Sequence, residues 1–164
     1  MAQSISTKKA QVWYIDFMVG IMIFIIVIVI YFEYINNLSE REENIVDDLI
    51  INSKAISNSL VSEGYPSDWN STNVVRIGIT DNNQRINKTK LERYINMSYI
   101  DTKTKFRTPY NYYIFLEYKN GSKIQLNNSD YYGYQYPNAK RLVQITRRLI
   151  YESEIVRMGV QVWQ

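Results

Sequence analysis

The clearest feature in the pattern of hydrophobic and polar positions is a long apolar run close to the N-terminus. The segment Phe17–Phe32, FMVGIMIFIIVIVIYF, carries no formal charge, and with its flanks it extends over Val12–Ile35, interrupted only by Asp16 and Glu33. At 1.5 Å per residue, roughly 24 residues form a helix about 36 Å long, enough to cross a hydrocarbon core of about 30 Å. Many of these residues are β-branched, but unpaired backbone groups are costly in lipid, so the run predicts a transmembrane helix.

A second apolar pattern, with helical spacing, follows the run. Its apolar positions are Ile45, Leu49, Ile56 and Leu60, with Val46 and Ile50 beside them. Polar and acidic residues occupy the other side, so residues 37–63 are predicted to form an amphipathic helix that shares the core of a following domain. Ser39 and Glu42 form a capping-box pattern, which favours a helix start there. The Asn36-Asn37 pair therefore marks either a kink between two helices or a weak spot in one.

Residues 64–164 show short alternating segments separated by turn residues, which is typical of a small antiparallel sheet. The predicted strands are Asn73–Thr80, Tyr110–Tyr118, Lys123–Leu126, Leu142–Tyr151 and Ile155–Trp163. One short helix is predicted over Lys88–Met97, with Asn87 as its N-cap. The predicted fold class is α+β. A long N-terminal helix, transmembrane in its first half and amphipathic in its second, packs on a small antiparallel β-sheet domain with one further short helix.

Charge is distributed unevenly around the apolar run, although the formal net charge is only +3. Lys8 and Lys9 precede the run, whereas acidic residues follow it with Arg41 as the only nearby cation. These acidic residues are Glu33, Glu40, Glu42, Glu43, Asp47 and Asp48. The positive-inside rule then predicts a single-pass membrane protein with a cytoplasmic N-terminus and an extracellular C-terminal domain. The small net charge gives no reason to expect a nucleic-acid partner.

The residues that most often carry catalysis are missing from the chain. It contains no cysteine and no histidine, which excludes Ser-His-Asp and Cys-His sets and removes the commonest metal ligand. It also lacks a P-loop and a G-x-G-x-x-G motif. Asp47 and Asp48 are adjacent on a predicted helix and face about 100° apart, so they do not form a carboxylate pair. No catalytic residue, metal site or cofactor is predicted, and the protein is not expected to be an enzyme; an anchored hydrolase is the least favoured hypothesis.

The residues just before the apolar run carry a resemblance to a known family. Lys8-Lys9-Ala10-Gln11 places a basic pair, a small residue and a glutamine directly ahead of the helix. This arrangement resembles the class III signal peptide of archaeal type IV pilins and archaellins. The resemblance implies a basic leader at 1–10, cut between Ala10 and Gln11 by a prepilin peptidase, and a transmembrane and assembly helix at 11–36. The alternative is a plain signal anchor that is not cleaved.

Two residues within the apolar run bear on what the helix does. In bacterial pilins, which the N-terminus resembles, a Glu at the fifth mature position pairs with the N-terminal amine of a neighbouring subunit. Here the acid is Asp16, the sixth residue counted from Gln11. The alternative is an acid that snorkels to lipid headgroups at the cytoplasmic interface. Gly20 is the small residue of the run, where a second helix can approach closely.

Polar motifs after the helix indicate candidate surface sites. Sequons for N-glycosylation occur at Asn37, Asn70, Asn87, Asn96, Asn120 and Asn127, and none precedes the helix. Two aromatic loops are candidate recognition loops, one with Tyr65 and Trp69 and one with Tyr131, Tyr132, Tyr134 and Tyr136. Tyrosines of this kind stack on sugars or bury area at interfaces, and the alternative is simple packing or a solvent-facing loop.

Basic residues gather in two stretches, Arg85–Arg107 and Lys140–Arg148. Such a face binds acidic glycans, nucleic acid or the Glu-rich helix of a neighbouring subunit, or it is simply solvated. Taken with the leader, the resemblance implies a structural or adhesive subunit of an archaeal type IV pilus-like surface filament. Its expected partners are copies of itself or related pilins, the assembly machinery and membrane lipid. The alternative is an uncleaved, single-pass membrane-anchored extracellular ligand-binding domain.

Overall fold

The N-terminal helix is a single element in the computed structural model. The model describes the backbone of residues 4–81, 83–126, 128–134 and 139–164, and the side chains of these residues except 4–12 and 39–43. Helix α1 runs without a break over Ser4–Val61. The helix start expected near Ser39 is therefore wrong. At the Asn36-Asn37 pair the helix continues, and the Asn37 side-chain amide donates to the Glu33 carbonyl 2.9 Å away, one turn back.

The chain divides into two units, Met1–Asn44 and Ile45–Gln164. In the first unit, helix α1 contains a segment of 26 residues, Trp13–Leu38, that is long and apolar enough to cross a membrane. Every side chain in this segment is exposed. Trp13 and Phe17, one turn apart, stack with ring centroids 5.9 Å apart.

The second unit is built on an antiparallel sheet. In the described part of the chain its strands are β1 (Asn111–Tyr118), β2 (Tyr132–Gly133), β3 (Leu142–Tyr151) and β4 (Glu154–Trp163). They lie in the order β2-β1-β4-β3, and each neighbouring pair is antiparallel. Strands β1, β3 and β4 confirm the predicted strands to within one residue at each end. Residues 123–126 do not form a strand of their own, but Ile124 donates its N–H to the Leu116 carbonyl at 2.8 Å.

Two short helices, rather than the single one expected, lie between α1 and the sheet in sequence. Helix α2 spans Lys88–Ile95, and the Asn87 side chain accepts from the backbone N–H of Lys90, as an N-cap should. Helix α3 spans Tyr99–Phe106 and is capped in the same way by Ser98, which accepts from Asp101. Helix α3 was not predicted because its only buried side chain is Thr102, so it shows no apolar periodicity.

Residues 77–80 complete the C-terminal turn of α1, whose last carbonyls have no partner within the helix. Ile79 donates its N–H to the Leu60 carbonyl at 2.9 Å, and the Thr80 hydroxyl donates to the Val61 carbonyl. Ile77 and Ile79 are buried and lie two residues apart, which explains why the pattern of Asn73–Thr80 resembles a strand. Asn73 is in a turn and Val75 in a bend, and Arg76 and Thr80 form isolated bridges with Tyr65 and Ile86. The segment does not join the sheet, so the predicted strand is wrong.

The core of the second unit lies between the last four turns of α1 and one face of the sheet. Leu49, Ile56 and Leu60 come from α1 and are fully buried. From the sheet, alternate residues of the central strands point inward. These are Tyr112, Ile114 and Leu116 of β1 and Val156, Met158, Val160 and Val162 of β4. The α+β fold class is thus confirmed, with a long N-terminal helix and a small antiparallel sheet.

Candidate functional site

The exposed apolar surface of α1 is the largest unusual feature among the described residues. Asp16 and Gly20 lie one turn apart, and therefore on the same side of the helix. Both are exposed, and a Cβ added at Gly20 would meet no atom within 4 Å. This side of the helix therefore combines a carboxylate with a position at which a second helix can approach closely. The backbone of the leader residues Lys8, Lys9, Ala10 and Gln11 is helical, and their side chains lie outside the described residues.

The first aromatic loop does not present both of its aromatic side chains. Trp69 is fully buried, and its indole N–H donates to the Gly78 carbonyl at 2.9 Å. The Arg93 guanidinium donates to the Trp69 carbonyl at 2.6 Å, which fixes the loop against α2. Tyr65, in contrast, is 62% exposed. Trp69 as a recognition residue is therefore a wrong prediction, because a ligand cannot reach it, and Tyr65 alone remains accessible.

The second aromatic loop lines a groove of about 290 Å³, which we call the tyrosine groove. Tyr99, Tyr131, Tyr132 and Tyr134 contribute to its walls. Tyr131 stacks on Tyr113 with centroids 5.0 Å apart, and Tyr134 meets the edge of Tyr99 at 4.9 Å while staying 61% exposed. Tyr136 lies outside the described residues.

Behind the tyrosine groove, phenol rings form a buried cluster. The Thr102 and Tyr112 hydroxyls share a hydrogen bond, and the Thr102 hydroxyl lies 3.3 Å from that of Tyr132, which donates to the Met97 carbonyl at 2.9 Å. Burial raises the pKa of Tyr94 well above its ordinary value of about 10, and the nearby Tyr112 and Tyr132 add to the effect. Burial likewise raises the pKa of Tyr112, against the opposing effect of the hydrogen bond with Thr102. These hydroxyls are neutral packing groups at physiological pH.

A second groove, of about 480 Å³, lies beside α1 and carries positive charge; we call it the basic groove. Its cations are Arg76, Lys105 and Arg107, and its wall includes Ala55 and Ser59 of α1 and the exposed Tyr65. The Lys105 ammonium donates to the Val74 carbonyl at 2.6 Å, which holds it at the groove. No acidic residue lines the groove, and among the described residues no carboxylate forms an ion pair with any of the three cations.

Other cations of the two basic stretches serve the fold. Lys90 is buried and donates to the Glu63 carbonyl at 3.0 Å, with the Glu63 and Asp81 carboxylates each 3.9 Å away. Arg147 of β3 reaches across to α1, where it donates to the Ser57 hydroxyl at 3.0 Å and to the Asn58 side chain at 2.7 Å. Of the basic stretches seen in the sequence, Lys105 and Arg107 line the basic groove and Lys90 and Arg147 serve the fold, whereas Arg76 of the groove lies outside both stretches.

The sequons differ in what their asparagines do. Asn37, Asn70, Asn96 and Asn120 are exposed. The Asn120 side-chain oxygen accepts from both the N–H and the hydroxyl of Ser122, at 3.0 and 2.7 Å. Asn87 is half-buried, caps α2 and donates to Asp81 at 3.2 Å. Asn127 lies outside the described residues. In the part of the chain that the structure describes, no group of three acidic side chains is placed to hold a metal ion.

The chain belongs to DUF7287, a family of unknown function, whose model matches residues 7–163. The matched residues include α1 from residue 7 onward and the four described strands of the sheet. No curated protein and no solved structure matches the chain.

Proposed function

We propose that this protein is a structural or adhesive subunit of an archaeal type IV pilus-like surface filament, assembled through its N-terminal helix. The observation that carries the proposal is the continuity of α1. One helix bears a fully exposed apolar segment, Trp13–Leu38, and then supplies Leu49, Ile56 and Leu60 to the core of the second unit. A simple anchor needs only the first property. A helix with both links the folded domain directly to the surface through which copies pack.

The leader motif and Asp16 support the same proposal. Lys8-Lys9-Ala10-Gln11 stands where a class III signal peptide is cut, ahead of the helix rather than after it. A carboxylate near the centre of a membrane helix costs about 2.5–3.5 kcal/mol. Asp16 lies nearer one end of the span, where the cost is smaller, but an anchor has no use for it. In a filament it accepts the new N-terminal amine of a neighbouring copy.

The membrane helix waits in the bilayer and then becomes the filament core. On this proposal the N-terminus is cytoplasmic before assembly, the second unit is extracellular, and the partners are the prepilin peptidase, the assembly machinery and other copies. The protein itself catalyses no reaction on this proposal, because the energy of assembly comes from helix packing. The protein is accordingly proposed to be a non-enzymatic subunit.

Mass spectrometry of the native protein tests the processing step. We expect the mature chain to begin at Gln11. A native N-terminus at Met1 or Ala2 would contradict the proposal and would favour the second candidate below.

The substitution Asp16→Ala tests assembly, with Glu33→Ala as its matched control at the other end of the apolar run. We expect Asp16→Ala to enter the membrane as well as the wild type, because the substitution removes a charge from the apolar segment. We expect it to lower the yield of sheared filaments at least several-fold, whereas Glu33→Ala leaves the yield unchanged. Wild-type yield from Asp16→Ala would mean that Asp16 only snorkels to the headgroups.

A second candidate function is an uncleaved, membrane-anchored domain that binds a ligand through the tyrosine groove. The groove favours it because Tyr131 and Tyr134 present ring faces and hydroxyls of the kind that stack on sugars. A glycan array probed with the full chain in detergent tests this candidate. The anchored binding domain would be favoured over the filament subunit if the wild-type chain is uncleaved, forms no filament and binds a glycan, and if Tyr134→Ala abolishes that binding.

A further inference from the structure

The basic groove holds positive charge that the described part of the chain does not neutralise. Arg76 is fixed by a two-residue bridge in which its N–H and carbonyl pair with the backbone of Tyr65. Lys105 is fixed by the Val74 carbonyl. Three cations held around one concave surface favour an anionic ligand, because bringing them together without one is electrostatically unfavourable.

Arg107 has a backbone conformation that is unusual for a residue other than glycine or asparagine. It is the C-cap of α3 and has φ +54° and ψ +37°, in the left-handed region. Glycine or asparagine is the usual choice at this position, because a Cβ is disfavoured there. An arginine with an exposed side chain gains nothing evident for folding at this position. Backbone strain retained beside a charged groove points to a role for the guanidinium itself.

The same chain carries an anionic segment that matches the basic groove. Five acidic residues and one arginine lie from Glu40 to Asp48, directly before the core part of α1. Asp47 and Asp48 are exposed. Asp47 lies eight residues before Ala55 in the groove wall, which is about 12 Å along the helix. Asp47 and Asp48 do not line the groove of their own copy, whereas a second copy displaced along the helix direction brings its own acidic residues to that groove.

We propose that the basic groove of one copy binds the acidic segment Glu40–Asp48 of the next copy. The two patches are different surfaces, so the contact is head-to-tail and repeats from copy to copy, as an open filament requires. The inference rests on the proposed filament function and adds a second contact to helix packing. Because the patches attract only in the correct register, their main contribution is to orientation and specificity rather than to raw affinity.

Arg107→Gly separates this role from a role in folding. Glycine relieves the left-handed backbone, so the variant should unfold at a temperature no lower than the wild type. It removes a groove charge, so we expect at least a threefold lower filament yield. Arg107→Lys keeps the charge and serves as the control with near wild-type yield. A stable Arg107→Gly protein with normal filaments would overturn the proposal.

Charge reversal tests the pairing of the two patches. Arg76→Glu/Arg107→Glu makes the groove net negative, and Glu40→Lys/Glu43→Lys/Asp47→Lys makes the segment net positive. Each of these variants should abolish or strongly reduce filaments. All five substitutions in one chain should restore them, because the negative groove then meets a positive segment. Lys119→Glu/Arg148→Glu makes the same change in charge as the groove variant elsewhere on the surface and should have no effect. If the chain with all five substitutions assembles no better than the groove variant or the segment variant alone, the proposal is wrong.

The absence of cysteine from the chain allows a direct test that does not need filaments. Tyr65→Cys and Asp47→Cys, expressed as two separate full-length chains in one membrane, should form a disulfide heterodimer under mild oxidation. Tyr65→Cys with Lys119→Cys should not. If the wild type forms no filaments but the first pair cross-links, the filament function fails and the contact between copies stands. If filaments form without the cross-link, the contact fails.

Groove-dependent binding to anionic phosphatidylglycerol vesicles, with unchanged assembly, would instead assign the groove to lipid headgroups and would overturn the proposal.

Discussion

Gly20 is the position at which a single residue best separates folding from assembly. Glycine in a helix interior costs about 1 kcal/mol relative to alanine, and nothing in the structure lies within 4 Å of a Cβ added there. The substitution Gly20→Leu should therefore leave membrane insertion and the fold of the chain intact. If a second helix packs against this side of α1, the added side chain separates the two helices, and we expect several-fold fewer filaments.

Val19→Leu is the matched control for Gly20→Leu, because adjacent helical residues face about 100° apart. It adds a methylene to the same exposed segment on another side of the helix and should change the filament yield little. Filament counts by negative-stain microscopy, normalised to membrane-inserted protein, make the comparison. Equal yields from both variants would show that Gly20 lies away from the packing surface.

Trp69 shows why single residues in a loop are hard to assign from sequence. The loop carries Gly64, Pro66 and two aromatic residues, a composition that suits either recognition or packing. Whether Trp69 is buried depends on Gly78, which lies fourteen residues after Gly64. A Cβ at Gly78 would lie 2.2 Å from the Gly64 nitrogen, so only glycine lets the two segments touch and lets the Gly78 carbonyl accept from Trp69. No local pattern reveals that contact.

At the scale of elements, helices α2 and α3 and strand β1 enclose the buried tyrosine cluster, which should make the second unit sensitive to alkali. Burial raises the pKa values of Tyr94, Tyr99, Tyr112 and Tyr132 above the unfolded value of about 10. Below about pH 10 both states are protonated and the stability is complete. Above it the unfolded chain loses protons that the folded chain keeps, so the free energy of unfolding falls as the pH rises.

We therefore expect a thermal midpoint that is nearly constant between about pH 7 and pH 9 and falls above about pH 10. Tyr112→Phe should lower the midpoint at neutral pH, because it removes the hydrogen bond to Thr102, worth about 1 kcal/mol. It should also make the alkaline loss of stability less steep. One titrating tyrosine contributes up to about 1.4 kcal/mol per pH unit to the slope of the free energy of unfolding against pH. The same alkaline decline in Tyr112→Phe and the wild type would contradict the assignment.

Elements with strong periodicity could be predicted from the sequence, and those defined by tertiary contacts could not. Strand β3 alternates in exposure from Leu142 to Leu149, apolar residues recur at every second position of β4 from Val156 to Val162, and the predicted bounds of both strands agree with the structure to within one residue. Residues 77–80 resemble a short strand in sequence, but all four are buried and they bond to the end of α1. Helix α3 has a clear N-cap in Ser98 and Asp101, a signal that was present in the sequence, but it lacks an apolar face. The two grooves are formed by segments distant in sequence, so Lys105 and Arg107 could be noted as part of a basic stretch, but no local pattern placed Arg76 beside them.

At the scale of the whole molecule, the two units divide the work between them. In the described residues the buried apolar side chains run from Leu49 to Trp163, and Trp13–Leu38 contributes none. The buried core therefore lies within Ile45–Gln164, while the membrane and assembly roles are proposed for the exposed segment Trp13–Leu38. If this division is correct, the second unit should not need the first in order to fold.

We accordingly expect a fragment of residues 45–164 to unfold in one cooperative transition and to be monomeric at micromolar concentration, since isolated surface charge contacts are weak. A fragment of residues 64–164 is the matched control, because it lacks Leu49, Ile56 and Leu60. Loss of one such buried side chain costs about 2–5 kcal/mol, so loss of three costs about 6–15 kcal/mol, which is comparable to a typical total stability of about 5–15 kcal/mol. The shorter fragment should therefore lack cooperative unfolding by circular dichroism. If the shorter fragment folds as well as the longer one, the second unit does not need α1 in order to fold. The continuity of that helix would then not be explained by folding.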